Sequence, residues 1–274
     1  MRHGTVTQDN DTHDMTKALF FDIDGTLVSF ATHAIPPSAV EALERAKRGG
    51  AKIFISTGRP MRFINNLKPI EHLIDGYMTT NGGCCMIGDR TVSLHPIAPD
   101  DVATVLDACR RTHTGCVVVG KEKISALYPE KMAYIMNALL QIPYEQWIAP
   151  LDEVVGHDDI LQLTPFFTAA QEAEVLPLLH SVTSARWYPD FTDITARKAD
   201  KGQGLVAMAR AEGIDIADTM AFGDGGNDLP ILRQAGTGVA MGNAGDDVKA
   251  AAQYVTASVD DDGIMKALQH FGII

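Results

Sequence analysis

Two aspartates one residue apart, Asp22 and Asp24, end an apolar run in the stretch ALFFDIDGTLVSF, Ala18 to Phe30. Along an extended strand, residues i and i+2 share a face, so two like charges stand together at the end of a buried element. A second stretch, MAFGDGGNDLPIL, repeats the design with Asp224, Gly225, Gly226, Asn227 and Asp228, and a third apolar run, AKIFI, ends in Ser56-Thr57-Gly58-Arg59. Bare carboxylates gathered in one small space raise each other's pKa, and a hard divalent cation relieves the repulsion. Oxygen donors without His or Cys favour Mg²⁺. Gly25, Gly58, Gly225 and Gly226 allow backbone N–H groups to approach an anion. Thr57 offers a hydroxyl, and Lys201, which opens a helix, can bring positive charge to the carboxylates. Such a set suits a phosphoryl group better than a carbonyl.

These residues need a scaffold that brings separate strand ends together. From Lys17 to Thr80 short apolar runs alternate with helical stretches: KALFFD and AKIFIS as strands, PPSAVEALERAKRGG as a helix, PMRFINNLK as a short helix, GYMTT as a third strand. Strand-helix-strand repetition means a parallel sheet with right-handed crossovers, and functional groups collect beyond the carboxyl ends of such strands. After Asn81-Gly82-Gly83 the rhythm changes. A hairpin (CCMIGDRTVSLHP), helices at PDDVATVLDACRRT, PEKMAYIMNALLQ and near Gln171 to His180, and several strands give an α+β middle, read as an insertion over 84–195. The parallel rhythm returns with KGQGLVAMARAEG and runs to a closing helix near GIMKALQHF. The expected fold is α/β, a Rossmann-like parallel-sheet core (15–83 and 196–274) carrying an inserted α+β cap, with linkers near 81–84 and 195–199. The polar first 14 residues read as a flexible arm, with Met15 as a candidate natural start.

Composition removes whole classes. At 274 residues with 46% hydrophobic and 21% charged residues the chain is neither disordered nor fibrous. No apolar run approaches the roughly 20 residues that span a bilayer, and the polar N-terminus has no secretory h-region. A net charge of −12 argues against nucleic acid as a partner. Cys84, Cys85, Cys109 and Cys116 form no CxxC pair, which reads as buried thiols in a reducing, cytoplasmic chain. A monomer or weak homo-oligomer is expected.

The strings DIDGTLV, STGR, DKG and GDGGNDLPIL, in that order and each after the expected element, resemble the four motifs of the haloacid dehalogenase superfamily. The tail GVAMGNAGDDVKAAAQYVTASVDDDGIMKAL is similar to that of its Cof-like sugar phosphatases. The resemblance runs from about Met15 to Ile274. It implies an aspartyl-phosphate mechanism: Asp22 as nucleophile, Asp24 as proton donor and acceptor, Thr57 on a phosphoryl oxygen, Lys201 neutralising the nucleophile. Mg²⁺ would be held by Asp22, the backbone carbonyl of Asp24, Asp224 and Asp228, and Asn227 would orient the phosphoryl group or its acceptor. Lys201 is preferred to Lys198 because Lys-Gly leads directly into a helix. Arg59 reads equally as a substrate contact or a helix-start surface residue, and Asn81 equally as a substrate contact or a hinge turn. Trp187 and Tyr188 read as lining the cap's inner face or as cap core. The implied activity is hydrolysis of small phosphorylated metabolites, hexose phosphates foremost. A phosphomutase or an idle phospho-metabolite sensor on the same core are the rivals.

Overall fold

The computed structural model describes residues 17–133 and 148–274, except for the side chain of Trp187. The N-terminal arm and most of the helix expected over PEKMAYIMNALLQ lie outside the described residues; Pro129–Lys131 forms a 3₁₀ turn.

Eight strands make the first sheet. They are β1 (Ala18–Phe21), β2 (Lys52–Ser56), β3 (Gly76–Thr79), β4 (Cys84–Ile87), β5 (Arg90–Leu94), β12 (Thr219–Gly223), β13 (Thr237–Ala240) and β14 (Tyr254–Val255), in the order β14-β13-β12-β1-β2-β3-β4-β5. The six strands from β14 to β3 are parallel, while β4 and β5 join antiparallel. The parallel-sheet reading of the sequence holds, and β1, with its two aspartates, lies between β12 and β2. The hairpin CCMIGDRTVSLHP, expected in the insertion, instead extends this sheet, so the crossing comes after Leu94 rather than at residue 84. Cys85 is the reason: it is fully buried with Met78, Leu205 and Met208 in the core beneath the parallel strands.

Alternation along β1 splits the core in two. Leu19 and Phe21 face one side, with Ala39, Leu43 and Ala46 of helix α1 (Pro37–Arg48) and Ile264 and Leu268 of the closing helix Gly263–His270. Ala18 and Phe20 face the other, with Leu205, Met208, Ile231 and Leu232. Phe21 stacks on Phe222 at 4.6 Å and Phe20 on Phe54 at 4.8 Å, one pair on each face. α1 begins at Pro37, where no N–H is needed, and stops at Gly49. PMRFINNLK, expected as a short helix, makes a single 3₁₀ turn, Met61–Phe63, because Ile64 turns extended ahead of the Asn65-Asn66 pair and Pro69.

The second sheet comprises β6 (Cys116–Gly120), β7 (Ile124–Leu127), β8 (Ile148–Ala149), β9 (Ile160–Pro165), β10 (Val182–Tyr188) and β11 (Phe191–Ala196), ordered β10-β11-β9-β6-β7-β8. Helices α2 (Pro99–Thr112) and α3 (Ala169–Val175) pack on one face through Val105, Cys109 and Val175 against Val118, Leu163 and Ile194. α3 opens with a capping box between Thr168 and Gln171. All four cysteines are free and buried. Among the described residues no helix is long and apolar enough to cross a membrane.

Candidate active site

The carboxyl ends of β1, β2 and β12 converge, as the order of strands requires. Asp22 follows β1 directly and donates its N–H to the carbonyl of Phe222 at 3.0 Å, which locks the first acidic stretch to the second. Asp22 is 6% exposed, Asp228 and Lys201 not at all.

Lys201 is the first residue of α4 (Lys201–Glu212), whose N-cap Asp200 accepts from the Gln203 N–H at 2.8 Å. A cation at a helix N-terminus meets the unfavourable end of the dipole, so something must hold it there. Its Nζ donates to Asp22 Oδ1 and Asp228 Oδ1, both at 2.6 Å, and to the Ser56 carbonyl at 2.9 Å. All three ammonium donors are used. Burial disfavours the charge, but the two carboxylates outweigh it and hold the Lys201 pKa above the ordinary lysine value. Asp22 is pushed well up, first by burial and then by Asp228 and Asp24, with Lys201 opposing.

Asp224 completes the cluster. Its carboxylate accepts from Thr26 Oγ1 at 3.1 Å and Asn243 Nδ2 at 3.2 Å. Burial, reinforced by Asp228, raises its pKa to about 6. The second oxygen of Asp228 is spent on the N–H groups of Asp224 and Gly225, at 3.0 Å each, which hold the turn after β12. One carboxylate oxygen from each of Asp22, Asp224 and Asp228 lies within 4.8 Å of the others. One ammonium cannot balance three carboxylates when all are ionised. That donor set, all oxygen, fits a hard divalent cation.

The other expected site residues fall in two groups. Thr57 is buried beside the cluster and its Oγ1 accepts from the Arg59 N–H at 3.1 Å. Asn227 Nδ2 donates to Asn81 Oδ1 at 3.0 Å, so these two form one polar pair, and Gly58 lies against both. Asn81 has a positive φ of 55° in the turn between β3 and β4. Arg59 is not a free surface residue: it grips both oxygens of Asp24, Nε to Oδ2 at 2.8 Å and Nη2 to Oδ1 at 2.5 Å.

Gly25 corrects one expectation. Its N–H is already donated to the Val28 carbonyl at 2.9 Å, so it has none to offer a phosphoryl group. The glycine is needed for two other reasons: φ is +77°, and a Cβ would fall 2.2 Å from Asp224 Oδ2. Lys198 is exposed, outside the cluster. Tyr188 stacks on Phe191 at 5.4 Å, within the second sheet.

Sequence reasoning missed Thr26 and Asn243. Asn243 Nδ2 also donates to the Gly25 carbonyl at 2.8 Å, while its Oδ1 accepts from the Val259 N–H at 3.0 Å. It therefore ties the acidic turns to the C-terminal part of the chain. Thr26 stood inside the DxDGT string, where its hydroxyl was a readable signal; a lone Asn after a strand carries none.

The haloacid dehalogenase-like hydrolase family model matches residues 19–268. A solved structure concerned with a trigonal-bipyramidal intermediate in a phosphoryl-transfer superfamily is 47% identical, covers 95% of this chain and all of that one, and superposes with a TM-score of 0.85. The subclass IIB sugar phosphatase BT4131 is 46% identical over 94% of this chain and all of its own, with a TM-score of 0.83. Pyridoxal phosphate phosphatase YbhA of Escherichia coli is 28% identical, with 91% of this chain and 96% of that protein covered. With the family model matched from residue 19 to 268 and relatives named as phosphatases aligned over nearly its whole length, the chain belongs to the haloacid dehalogenase-like hydrolases, as an enzyme of their phosphatase branch.

Proposed function

We propose that the protein is a Mg²⁺-dependent phosphatase of small phosphorylated metabolites, hexose phosphates foremost, that works through an aspartyl phosphate on Asp22. The observation that carries this is the pairing of Asp22 Oδ1 with the buried Lys201 ammonium, which leaves Oδ2 as the attacking oxygen. Mg²⁺ would be held by Asp22, Asp224, Asp228 and the Asp24 carbonyl. It would supply positive charge that lets a carboxylate approach an anionic phosphate.

Asp22 Oδ2 forms a bond to phosphorus as the ester P–O bond breaks, and Asp24 gives its proton to the departing alcohol. Asp24, now a carboxylate, takes a proton from water as the water oxygen attacks phosphorus. The P–Oδ2 bond breaks, and inorganic phosphate and the Asp22 carboxylate are regenerated. Lys201 stays protonated and balances charge at Asp22 throughout. Thr57 and the Asn81–Asn227 pair would donate to phosphoryl oxygens or to the alcohol. Sugar phosphates come first as substrates because the relative named as a sugar phosphatase is 46% identical over nearly the whole chain.

The test is phosphate release from hexose, pentose and triose phosphates, pyridoxal phosphate and an aryl phosphate, each with Mg²⁺, with chelator, and with Asp22→Asn. Release that needs Mg²⁺ and is abolished by Asp22→Asn is the expected result. Release by Asp22→Asn would remove the nucleophile. Isomer conversion without release would replace the phosphatase by a mutase.

A further inference from the structure

The turn after β2 joins the second sheet to Asp24. Besides its two bonds to Asp24, Arg59 uses its third arm: Nη1 donates to the Phe63 carbonyl at 3.2 Å and reaches Asn65 Oδ1 at 3.4 Å. The guanidinium is thus anchored on the 3₁₀ turn Met61–Phe63. That turn is seated on the second sheet in two ways. The Phe63 ring, 7% exposed, packs with Val117 and Val119 of β6, Ile124 of β7, and Met132. Arg62 Nε and Nη2 donate to the Glu122 carbonyl, in the turn between β6 and β7, at 3.2 and 3.0 Å.

We propose that seating of the inserted sheet on the Met61–Phe63 turn orients Arg59, and through it the carboxyl group of Asp24. Arg59 is then a positioning residue for the proton donor, and Phe63 and Arg62 carry the position of the second sheet to it. The inference rests on the acid/base reading of Asp24 given above.

The physical need is clear from the surroundings. The Asp24 side chain is 38% exposed, and the terminal torsion of an aspartate is broad. Two parallel N–H···O bonds from one rigid fork fix the plane of a carboxylate as a single bond cannot, and when one oxygen takes the proton the bond to the other still holds the group in place. Arginine is itself long and flexible, so the fork holds a plane only if something holds the fork. The Phe63 carbonyl does so, and it belongs to a residue whose ring is buried mainly among residues of the second sheet. A proton donor set in this way is complete only while the second sheet is seated on the turn, which couples the chemistry to that contact.

A competing role, a direct grip on the phosphoryl group, makes a different demand. A phosphoryl ligand matters for every substrate alike. A residue that places the proton donor matters only where the leaving group needs a proton. The experiment is therefore kcat/KM with a hexose 6-phosphate, whose alkoxide must be protonated, and with 2,4-dinitrophenyl phosphate, whose phenolate leaves unaided. kcat/KM covers the steps up to departure of the leaving group, so the later use of Asp24 as a base does not enter. Both substrates are run with the parent enzyme, Asp24→Asn, Arg59→Ala, Arg59→Lys, Arg62→Ala and Phe63→Ala.

For the hexose phosphate, Asp24→Asn should lose about 10²–10⁴-fold. Arg59→Ala should lose on the order of 10²-fold, the effect of misplacing a reacting group by about 1 Å. Arg59→Lys should recover only part, because an ammonium cannot bridge both oxygens. Arg62→Ala and Phe63→Ala should lose activity in the same selective sense, with dinitrophenyl phosphate near the parent value in every case. Arg62 is exposed, so Arg62→Ala carries the test if Phe63→Ala does not fold. Equal losses on both substrates in Arg59→Ala would assign Arg59 to the phosphoryl group and overturn the proposal. Unchanged hexose phosphate turnover in both Arg62→Ala and Phe63→Ala would sever the link to the second sheet and overturn it too. If Asp24→Asn itself shows no leaving-group selectivity, it is the acid/base reading that fails.

Discussion

Lys201 holds together a cluster that would repel itself. Taking away one partner of a buried ion pair leaves the others uncompensated, at a cost of about 3–5 kcal/mol. Lys201→Ala is therefore expected to unfold at a distinctly lower temperature than the parent, and added Mg²⁺ should restore part of the loss by binding the freed carboxylates. An unchanged melting temperature would mean that Asp22 and Asp228 are not both ionised. Asp224 makes a separate prediction with pH. Its pKa is raised in the metal-free protein to about 6, so folding favours its protonated form. The stability this contributes is full below the unfolded value near 4 and is lost as pH rises through about 6. Cation binding runs the other way, because it needs the ionised group. The stabilisation that Mg²⁺ confers should shrink as pH falls through about 6, read as the difference in melting temperature with and without Mg²⁺ from pH 5 to 8. A constant difference would exclude Asp224 as a ligand.

At the scale of elements, the site depends on where helices and turns begin. Asp200 caps α4 and so places Lys201 at its first position. Asp200→Ala is expected to cost about 0.5–2 kcal/mol in stability and to lower turnover as well, since the frayed residue is the one that neutralises Asp22. Chemical denaturation and phosphate release on one preparation check both, and a stable but slow enzyme would separate the two effects. The strands that end in Phe21, Ser56 and Gly223 were legible because short apolar runs stop abruptly at polar residues. What could not be read was which groups use up each other's hydrogen bonds. Gly25 looked like an anion donor, but its N–H is taken by Val28. Arg59 read equally as a surface residue or a substrate contact, and its bonds to Asp24 had no local signal. Asn243 reaches Gly25 only because β13 lies beside β12, a neighbour relation no local string encodes. The hairpin Cys84–Leu94 was read as part of the insertion, whereas β4 pairs with β3 of the first sheet, Cys85 beside Met78, another neighbour relation no local string encodes.

At the scale of the whole molecule, a ligand that binds only the folded state raises its stability by RT ln(1 + [L]/Kd). Mg²⁺ should accordingly shift the melting temperature in proportion to the logarithm of its concentration above Kd, and Asp228→Asn should flatten that dependence. The hairpin that closes the first sheet has a further consequence. Parallel sheets expose rows of unpaired amides at their two borders, which are templates for other chains. Here one border is β14, two residues long, and the other is β5, which begins with the exposed Arg90 and is joined by a tight turn to β4. Neither offers a long, flat, apolar edge. The first sheet can thus gather carboxylates at the ends of its central strands while its own two borders give another chain little to grow on.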